Sequence, residues 1–114
     1  MKLMIVEDND QMRRLIKGFV AKFADEIWEC SDGAEAVAAY AAHRPDWVLM
    51  DVEMHPMDGI TATLKIRQLF AGARIVILTQ YDDPMTRAAA RQAGACGYVL
   101  KDELPAIREL ILEK

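Results

Sequence analysis

The sequence predicts a three-layer α/β fold, in which a parallel β-sheet is covered by helices on both faces. Two observations indicate this class. Short apolar runs alternate with segments of helical periodicity along the whole chain, as in repeated strand–helix units. The apolar runs are hydrophobic at nearly every position, which is typical of strands buried on both faces. A length of 114 residues supports one domain of this kind.

Five short segments are predicted to be strands. Each combines β-branched and large apolar residues with few charges, and each is bounded by turn-forming or charged residues. These segments are residues 3–7, 27–30, 47–51, 74–79 and 97–100. The fourth contains the run Ile75-Val76-Ile77-Leu78, whose continuous hydrophobicity indicates a strand with no solvent-facing side.

Helices are predicted between and after these strands. They cover residues 10–23, 34–42, 60–70, 84–93 and 104–113. The first has apolar residues at helical spacing, and we expect Asp8 or Asp10 to cap it. The second is rich in alanine and ends before Pro45. Pro84 suits the first turn of the fourth helix, and Gly94 suits its C-terminal end.

The alternation restricts the order of the strands. Crossovers between parallel strands are right-handed, which leaves few topologies for five strand–helix units. We therefore expect the flavodoxin-like (βα)5 fold, with strand order 2-1-3-4-5 and helices on both faces of the sheet. In such sheets, ligands bind beyond the carboxyl ends of the strands.

Composition excludes several classes of protein. With 14 basic and 18 acidic residues the net charge is −4, which disfavours DNA binding by this chain. A hydrophobic fraction of 53% is too high for a disordered chain. No apolar run reaches the roughly 18–20 residues of a membrane span, and no signal peptide is visible, so we expect a cytoplasmic protein.

Cys30 and Cys96 are expected to be reduced thiols in the core, with a disulfide as the alternative.

Polar residues stand at the ends of four strands, where ligands are expected. These residues are Glu7 and Asp8, Asp51, Thr79 and Lys101. Three carboxylates in one crevice repel one another unless a cation joins them, and oxygen donors select Mg²⁺ or Mn²⁺. One carboxylate can then act as a nucleophile towards a phosphoryl donor. The lysine would neutralise phosphoryl oxygens, and the threonine hydroxyl would hydrogen-bond one of them.

Each of these residues also has a simpler explanation. Asp8 is of a type that often only caps a helix, Thr79 suits the end of a strand, and most lysines, such as Lys101, are solvated. Their joint occurrence at four strand ends favours the functional interpretation over coincidence.

As an ordered set, these residues resemble the receiver domain of bacterial two-component response regulators. The resemblance covers essentially the whole chain. It is carried by Glu7-Asp8, Asp51, the loop Met54…Pro56-Met57-Asp58-Gly59, Thr79, and the segment Gly97-Tyr98-Val99-Leu100-Lys101-Asp102.

The resemblance implies a phosphorylated aspartate and a metal ion. Asp51 would accept a phosphoryl group from a sensor histidine kinase. Glu7, Asp8, Asp51 and the backbone carbonyl of Glu53 would hold Mg²⁺. Such a domain catalyses its own phosphorylation and dephosphorylation but turns over no outside substrate.

The resemblance also implies a switch. Lys101 would pair with the phosphoryl group, Thr79 would move its hydroxyl towards it, and Tyr98 would change rotamer in concert. A core position is the simpler explanation for an aromatic residue in a strand. The surface of the fourth helix, fifth strand and fifth helix would carry the signal, and phosphorylation would favour a homodimer.

Several positions depart from the family pattern. Glu7 stands where many relatives have aspartate, and its longer side chain would reach the metal through water. Proline often stands four residues after the phosphoacceptor in this family, but here that position is His55 and Pro56 follows it. We interpret the histidine as a solvated or packed loop residue. Gln80 stands where a small residue is usual. We expect Gln80, Tyr81 and Glu53 to cover part of the site and to set the rates of phosphorylation and hydrolysis.

Lys101-Asp102 resembles receivers of the NarL/LuxR type, which are usually joined to a C-terminal helix-turn-helix. We therefore expect residues 1–114 to be a receiver domain whose DNA-binding output domain is absent from this chain. A single-domain regulator is the alternative. The implied output is transcription, with any contact to nucleic acid made by the output domain.

Three other functions are alternatives to this one. A small Mg²⁺ phosphatase would use Glu53, two residues after Asp51, as its acid, but the chain has no cap to enclose a substrate. A receiver that is never phosphorylated would act only as an interaction module. A nucleotide-binding domain is disfavoured because an acidic segment, and no glycine-rich loop, follows the first strand.

Overall fold

The computed structural model describes residues 1–112, in which five strands alternate with five helices. The strands are β1 (Lys2–Val6), β2 (Glu26–Cys30), β3 (Trp47–Asp51), β4 (Ile75–Thr79) and β5 (Gly97–Leu100). The helices are α1 (Asp10–Val20), α2 (Gly33–His43), α3 (Gly59–Leu69), α4 (Pro84–Gln92) and α5 (Pro105–Leu112). No helix within residues 1–112 combines the length and apolar composition needed to cross a membrane.

The five strands form one parallel sheet in the order β2-β1-β3-β4-β5. The predicted flavodoxin-like (βα)5 topology is therefore confirmed. Asp51 pairs in register with Leu78, and Thr79 pairs with Leu100. The carboxyl ends of β3, β4 and β5 consequently lie side by side, with β1 on the other side of β3.

The sheet separates two hydrophobic clusters, because successive side chains of a strand point to opposite faces. One cluster combines strand residues with residues of α2, α3 and α4, among them Met4, Val48, Met50, Ile77, Ala36, Ile66 and Ala90. The other packs against α1 and α5 and includes Leu3, Ile5, Leu49, Val76, Ile16, Val20, Ile107 and Ile111. Burying each large aliphatic side chain contributes about 1.5–3 kcal/mol, so the two clusters hold the strand ends in fixed positions.

The cap of α1 is Asn9, so the expectation that Asp8 or Asp10 caps this helix was wrong. Asn9 has extended backbone angles, and its side chain accepts a hydrogen bond from the Met12 N–H at 2.8 Å. Asp10 lies in the first helical turn. Because the cap is Asn9, the carboxylate of Asp8 remains available to the site at the strand ends.

The first helix is shorter than predicted. It ends at Val20, whose carbonyl accepts hydrogen bonds from the N–H groups of Phe23 and Ala24 in the following turn. Phe23 lies in this turn but still fits the apolar spacing of the helix. Its ring packs edge-to-face on Phe19, with ring centroids 6.0 Å apart. The last helix is described to Leu112, so its predicted end at residue 113 lies outside the described residues.

The two cysteines are both free thiols, but only one of them lies in the core. Cys30, at the end of β2, is buried as predicted. Cys96 is exposed, which contradicts the prediction. It precedes β5 in the turn after Gly94, and its N–H donates to the Ile75 carbonyl at 2.9 Å, so the backbone is paired while the side chain stays at the surface.

Candidate functional site

A cavity of about 470 Å³ opens at the carboxyl ends of the strands, where the sequence predicts a ligand. Its lining combines acidic and polar side chains with part of α1. The lining residues are Glu7, Asp8, Asn9, Gln11, Met12, Leu15, Asp51, Glu53, Gln80 and Lys101. The location follows from the topology, because all parallel strands end at the same edge of the sheet.

Three carboxylates meet in this cavity. Oxygen atoms of Glu7, Asp8 and Asp51 all lie within 4.8 Å of one another. Glu7 and Asp51 are almost fully buried, whereas Asp8 is exposed. The predicted convergence of acidic residues from β1 and β3 is thus what the fold produces.

Lys101 supplies the cation of the cluster. Its Nζ lies 2.9 Å from Oε1 of Glu7 and 2.8 Å from Oδ1 of Asp51. The Lys101 N–H donates to the Thr79 carbonyl at 2.8 Å, which fixes the lysine at the end of β5. One ammonium beside three carboxylates leaves two negative charges when all four groups are ionised.

Burial and charge shift the pKa values of this cluster. Burial raises the pKa of Glu7, and the neighbouring Asp51 carboxylate acts in the same direction, against the stabilising contact with Lys101. Burial lowers the pKa of Lys101, but its contacts with Asp51 and Glu7 outweigh that effect, so the pKa of the lysine is raised. Lys101 therefore stays charged at neutral pH.

The donor set fits a hard divalent cation. Magnesium is bound through carboxylate and carbonyl oxygens, and Glu7, Asp8 and Asp51 offer three carboxylates at mutual distances that one ion can span. The two negative charges of the cluster that Lys101 does not compensate also match the charge of a divalent cation. Glu53 lines the same cavity.

Gly59 is a functional position that the sequence analysis treated only as part of a loop. A Cβ atom on Gly59 would lie 1.8 Å from the carbonyl oxygen of Asp51. The Gly59 N–H donates to the Val52 carbonyl at 2.9 Å. The first residue of α3 thus packs directly against the backbone of Asp51, and only glycine permits this approach.

Thr79, at the end of β4, is not among the residues that line the cavity. The residue is buried, and its Oγ1 accepts a hydrogen bond from the Tyr81 N–H at 3.1 Å. The Tyr81 carbonyl in turn accepts a hydrogen bond from the hydroxyl of Tyr98 at 2.7 Å. Tyr81 therefore links the hydroxyl at the end of β4 to the aromatic side chain of β5.

Tyr98 is partly buried and packs against the hydrophobic cluster that contains residues of α2, α3 and α4. The guanidinium of Arg87 lies over its ring at 4.4 Å from the centroid, a cation–π contact. Arg87 is itself paired with Asp82 at 2.7 Å. The ring is thereby held at the surface between α4 and β5.

The three residues expected to cover part of the site, Gln80, Tyr81 and Glu53, do not all line the cavity. Gln80 and Glu53 line the cavity. Tyr81 is connected to it through Gln80, whose Nε2 donates to the tyrosine hydroxyl at 3.1 Å. His55 is exposed in the loop after β3, as expected, and does not belong to the acidic cluster. The His55–Pro56 peptide bond is cis.

Comparisons with known proteins agree with this arrangement. The family model of the response regulator receiver domain matches residues 3–112. The chain is 40% identical to the chemotaxis protein CheY of Bacillus subtilis over 101 residues, covering 88% of this chain and 84% of that protein. It is 39% identical over 107 residues to the transcriptional regulatory protein YhcZ of the same species, covering 92% of this chain and 50% of the relative. The chain thus spans about half the length of this transcriptional relative.

Solved structures show the same fold. A LuxR-family response regulator from Aurantimonas sp. SI85-9A1 aligns with a TM-score of 0.88 and 32% identity, covering 98% of this chain and 84% of that one. The signal receiver domain of the response regulator NarL from Mycobacterium tuberculosis aligns with a TM-score of 0.89 and 27% identity, covering 98% of this chain and 93% of that one.

Proposed function

This chain belongs to the response regulator receiver domain family, and from that premise we propose that it is a switch that accepts a phosphoryl group on Asp51. The observation that carries the proposal is the environment of this carboxylate. Asp51 is buried at the end of a central strand, beside two further carboxylates and 2.8 Å from the ammonium of Lys101. A structural aspartate has no need of two acidic neighbours, because their repulsion destabilises the fold.

The proposed reaction is phosphoryl transfer from a phosphohistidine of a sensor histidine kinase. A carboxylate oxygen of Asp51 attacks phosphorus, the P–N bond breaks, and its electron pair leaves with the imidazole of the kinase. Lys101 holds the Asp51 carboxylate in place beforehand and would neutralise negative charge on the phosphoryl oxygens during transfer. Hydrolysis of the resulting aspartyl phosphate returns the domain to its starting state.

Glu7, Asp8 and Asp51, together with the backbone carbonyl of Glu53, would hold Mg²⁺ in this proposal. When bound, the ion supplies positive charge to the transferring phosphoryl group. The oxygen donor set and the excess negative charge of the cluster support this assignment. The buried side chain of Glu7 contacts Lys101, which favours a contact with the ion through water.

The proposed switch is the hydrogen-bond chain from Thr79 through Tyr81 to Tyr98. On phosphorylation the Thr79 hydroxyl would exchange the Tyr81 N–H for a phosphoryl oxygen, and the Tyr98 side chain would change rotamer as Tyr81 moves. Coupling between sites of this kind is typically worth about 1–3 kcal/mol, enough to shift a balance between two conformations. The exposed surface of α4, β5 and α5 would then change its binding properties and favour a homodimer.

We propose that the output is transcription, through a DNA-binding domain outside residues 1–114. Relatives named as transcriptional regulatory proteins support this output, and the net charge of −4 agrees with leaving DNA contacts to another domain. The cytoplasmic location predicted from the sequence belongs to the same proposal.

The Gln80 side chain and Glu53 at the rim would set the rates of phosphorylation and hydrolysis.

Incubation with acetyl phosphate tests this function. With Mg²⁺ present, intact-protein mass spectrometry is expected to show a gain of about 80 Da, the mass of one phosphoryl group. Removal of Mg²⁺ with EDTA is expected to abolish the gain. An unmodified mass at all Mg²⁺ concentrations would mean that the domain is an interaction module. Steady turnover of generic phosphate esters would mean instead that it is a phosphatase.

A further inference from the structure

We propose that Arg13 is the positioning residue of the Mg²⁺ site, because its guanidinium fixes the peptide between Glu7 and Asp8. This inference rests on the proposed function and adds to it a residue outside the acidic cluster. Arg13 lies on α1 and does not line the cavity as described above. Nothing in the helical spacing of the sequence distinguishes Arg13 from its neighbour Arg14, so this role could not be predicted.

The Arg13 guanidinium connects three elements of the fold. Its Nη1 donates to the Glu7 carbonyl at 2.8 Å, at the end of β1. Its Nη2 donates to Oδ1 of Asp10 at 2.6 Å, in the first turn of α1. Its Nε donates to Oε1 of Glu29 at 3.2 Å, on β2. A planar guanidinium with five donors can hold three partners in one fixed arrangement, which a lysine cannot do.

The carbonyl of Glu7 is the contact that matters for the metal site. Strand β1 ends at Val6, and the Glu7 N–H makes one further ladder bond, to the Cys30 carbonyl at 3.0 Å. The Glu7 carbonyl accepts a hydrogen bond from the Arg13 guanidinium. That carbonyl shares its peptide plane with the Asp8 N–H. Arg13 therefore sets the orientation of the bond that leads into Asp8.

The position of the Asp8 carboxylate depends on the backbone more than the position of the Glu7 carboxylate does. The Glu7 carboxylate is held through its own side chain, by Lys101 at 2.9 Å and by the Asn9 N–H at 3.2 Å. Within residues 1–112, the Asp8 carboxylate has no such hydrogen bond or ion pair. Its place within 4.8 Å of the other two carboxylates consequently follows from the direction of the main chain.

The role of Arg13 is geometric and does not come from its charge. Asp10 and Glu29 both pair with Arg13, and Lys17 pairs with the second oxygen of Glu29 at 3.0 Å. These two cations and two anions sum to zero, so the group adds no net charge that would attract or repel Mg²⁺. Loss of Arg13 leaves this group with a net charge of −1, which by itself favours a cation, so weaker Mg²⁺ binding in a variant without Arg13 would report misplaced ligands.

The experiment measures the dissociation constant for Mg²⁺ by isothermal titration calorimetry in folded variants of the full chain. R13M is expected to bind Mg²⁺ about tenfold more weakly, the usual size of an effect from a residue that orients metal ligands. R13K, which can keep one hydrogen bond, is expected to fall between R13M and wild type. The Mg²⁺ concentration that gives half-maximal phosphorylation of R13M is expected to rise by the same factor as the dissociation constant.

Two matched variants separate this role from simple cross-linking of α1 to β2. E29Q keeps the hydrogen bond from Arg13 to Glu7 but weakens the ion pair to β2, so it should lose stability while its Mg²⁺ affinity stays that of wild type. R14M removes an exposed arginine at the next position and should change neither property.

The outcomes are distinguishable. Wild-type Mg²⁺ affinity in R13M, or an equal loss of affinity in E29Q, would overturn the inference and leave the proposed function intact. If R13M does not fold, R13K decides, with weakened affinity supporting the inference and unchanged affinity overturning it. A wild-type protein that binds no Mg²⁺ would overturn the proposed function and this inference together.

Discussion

The ammonium of Lys101 lies 2.8 Å from Oδ1 of Asp51, although Asp51 ends β3 and Lys101 follows β5, with β4 between the two strands. The contact reaches across the carboxyl end of β4 and places one cation beside the proposed phosphoacceptor. The same ammonium contacts Glu7, so it offsets part of the electrostatic repulsion between the carboxylates of Asp51 and Glu7. The chemistry and the stability of this end of the sheet therefore depend on the same lysine.

Replacement of Lys101 by methionine should separate metal binding from phosphorylation. K101M keeps all three carboxylates, so it is expected to bind Mg²⁺ at least as tightly as wild type. Its rate of phosphorylation by acetyl phosphate is expected to fall about a hundredfold, since a positioned donor for the transferring group is lost. The exposed Lys65 on α3 provides the control K65M, which should phosphorylate at the normal rate. A normal rate in K101M would show that the lysine is only structural.

Two helical glycines should respond to alanine in opposite directions. In G59A the new Cβ would meet the Asp51 carbonyl at 1.8 Å and the Met50 side chain at 2.9 Å, so the free energy of unfolding is expected to fall by about 1–3 kcal/mol or more. In G18A no atom lies within 4 Å, and alanine is expected to add about 0.5–1 kcal/mol. Urea unfolding measures both. A stable G59A would mean that α3 does not pack against the phosphoacceptor strand in this way.

The cap of α3 should make stability depend on pH. Burial opposes ionisation of Asp58, but hydrogen bonds from the Thr61 N–H and hydroxyl prevail and lower the pKa of Asp58 below 3.8. A lowered pKa stabilises the fold above that ordinary value, and the stabilisation is lost as pH falls through the lowered one. We expect D58A to cost about 1 kcal/mol of unfolding free energy at pH 7 and less in acid.

A neutral cap provides the control for this prediction. Serine at position 58 can still accept the Thr61 N–H, so D58S should exceed D58A in stability by the same margin at neutral and acidic pH. Urea unfolding curves at several pH values measure all three proteins. A constant difference between wild type and D58A across this range would show that the charge of Asp58 makes no contribution.

The two cysteines should differ in reactivity. Burial, together with the nearby carboxylates of Glu35 and Asp32, raises the pKa of Cys30 to about 11. Cys96 is exposed. At pH 8, iodoacetamide should therefore modify C30S quickly at Cys96 and should modify C96S slowly at Cys30 until the protein is unfolded. Equal rates in the two folded variants would contradict the placement of these thiols.

The sheet and the acidic cluster could be predicted because they depend on short-range patterns and on topology. Continuous apolar runs identify buried strands, and right-handed crossovers restrict the strand order. Once the order is known, residues that follow the strands, such as Asp51 and Lys101, must lie at one edge of the sheet. Their side-chain types then indicate the chemistry.

Features that depend on side-chain reach across elements could not be predicted. Whether Asn9 or an adjacent aspartate caps α1 is decided by the backbone angles of one residue. The contact between Arg13 and Glu7 requires the position of α1 against β1, and the packing of Gly59 requires the approach of α3 to β3. The exposure of Cys96 likewise depends on where a turn ends and β5 begins.

The central claim is that Asp51 is the residue that becomes phosphorylated, and mapping the modified residue tests it most directly. After reaction with acetyl phosphate and Mg²⁺, borohydride reduction converts an aspartyl phosphate to homoserine, which fragment-ion mass spectrometry can assign within the peptide that contains Asp46, Asp51 and Asp58. We predict homoserine at position 51 alone and no conversion in D51N. Homoserine at another aspartate of the wild-type protein, or undiminished phosphorylation of D51N, would contradict the account.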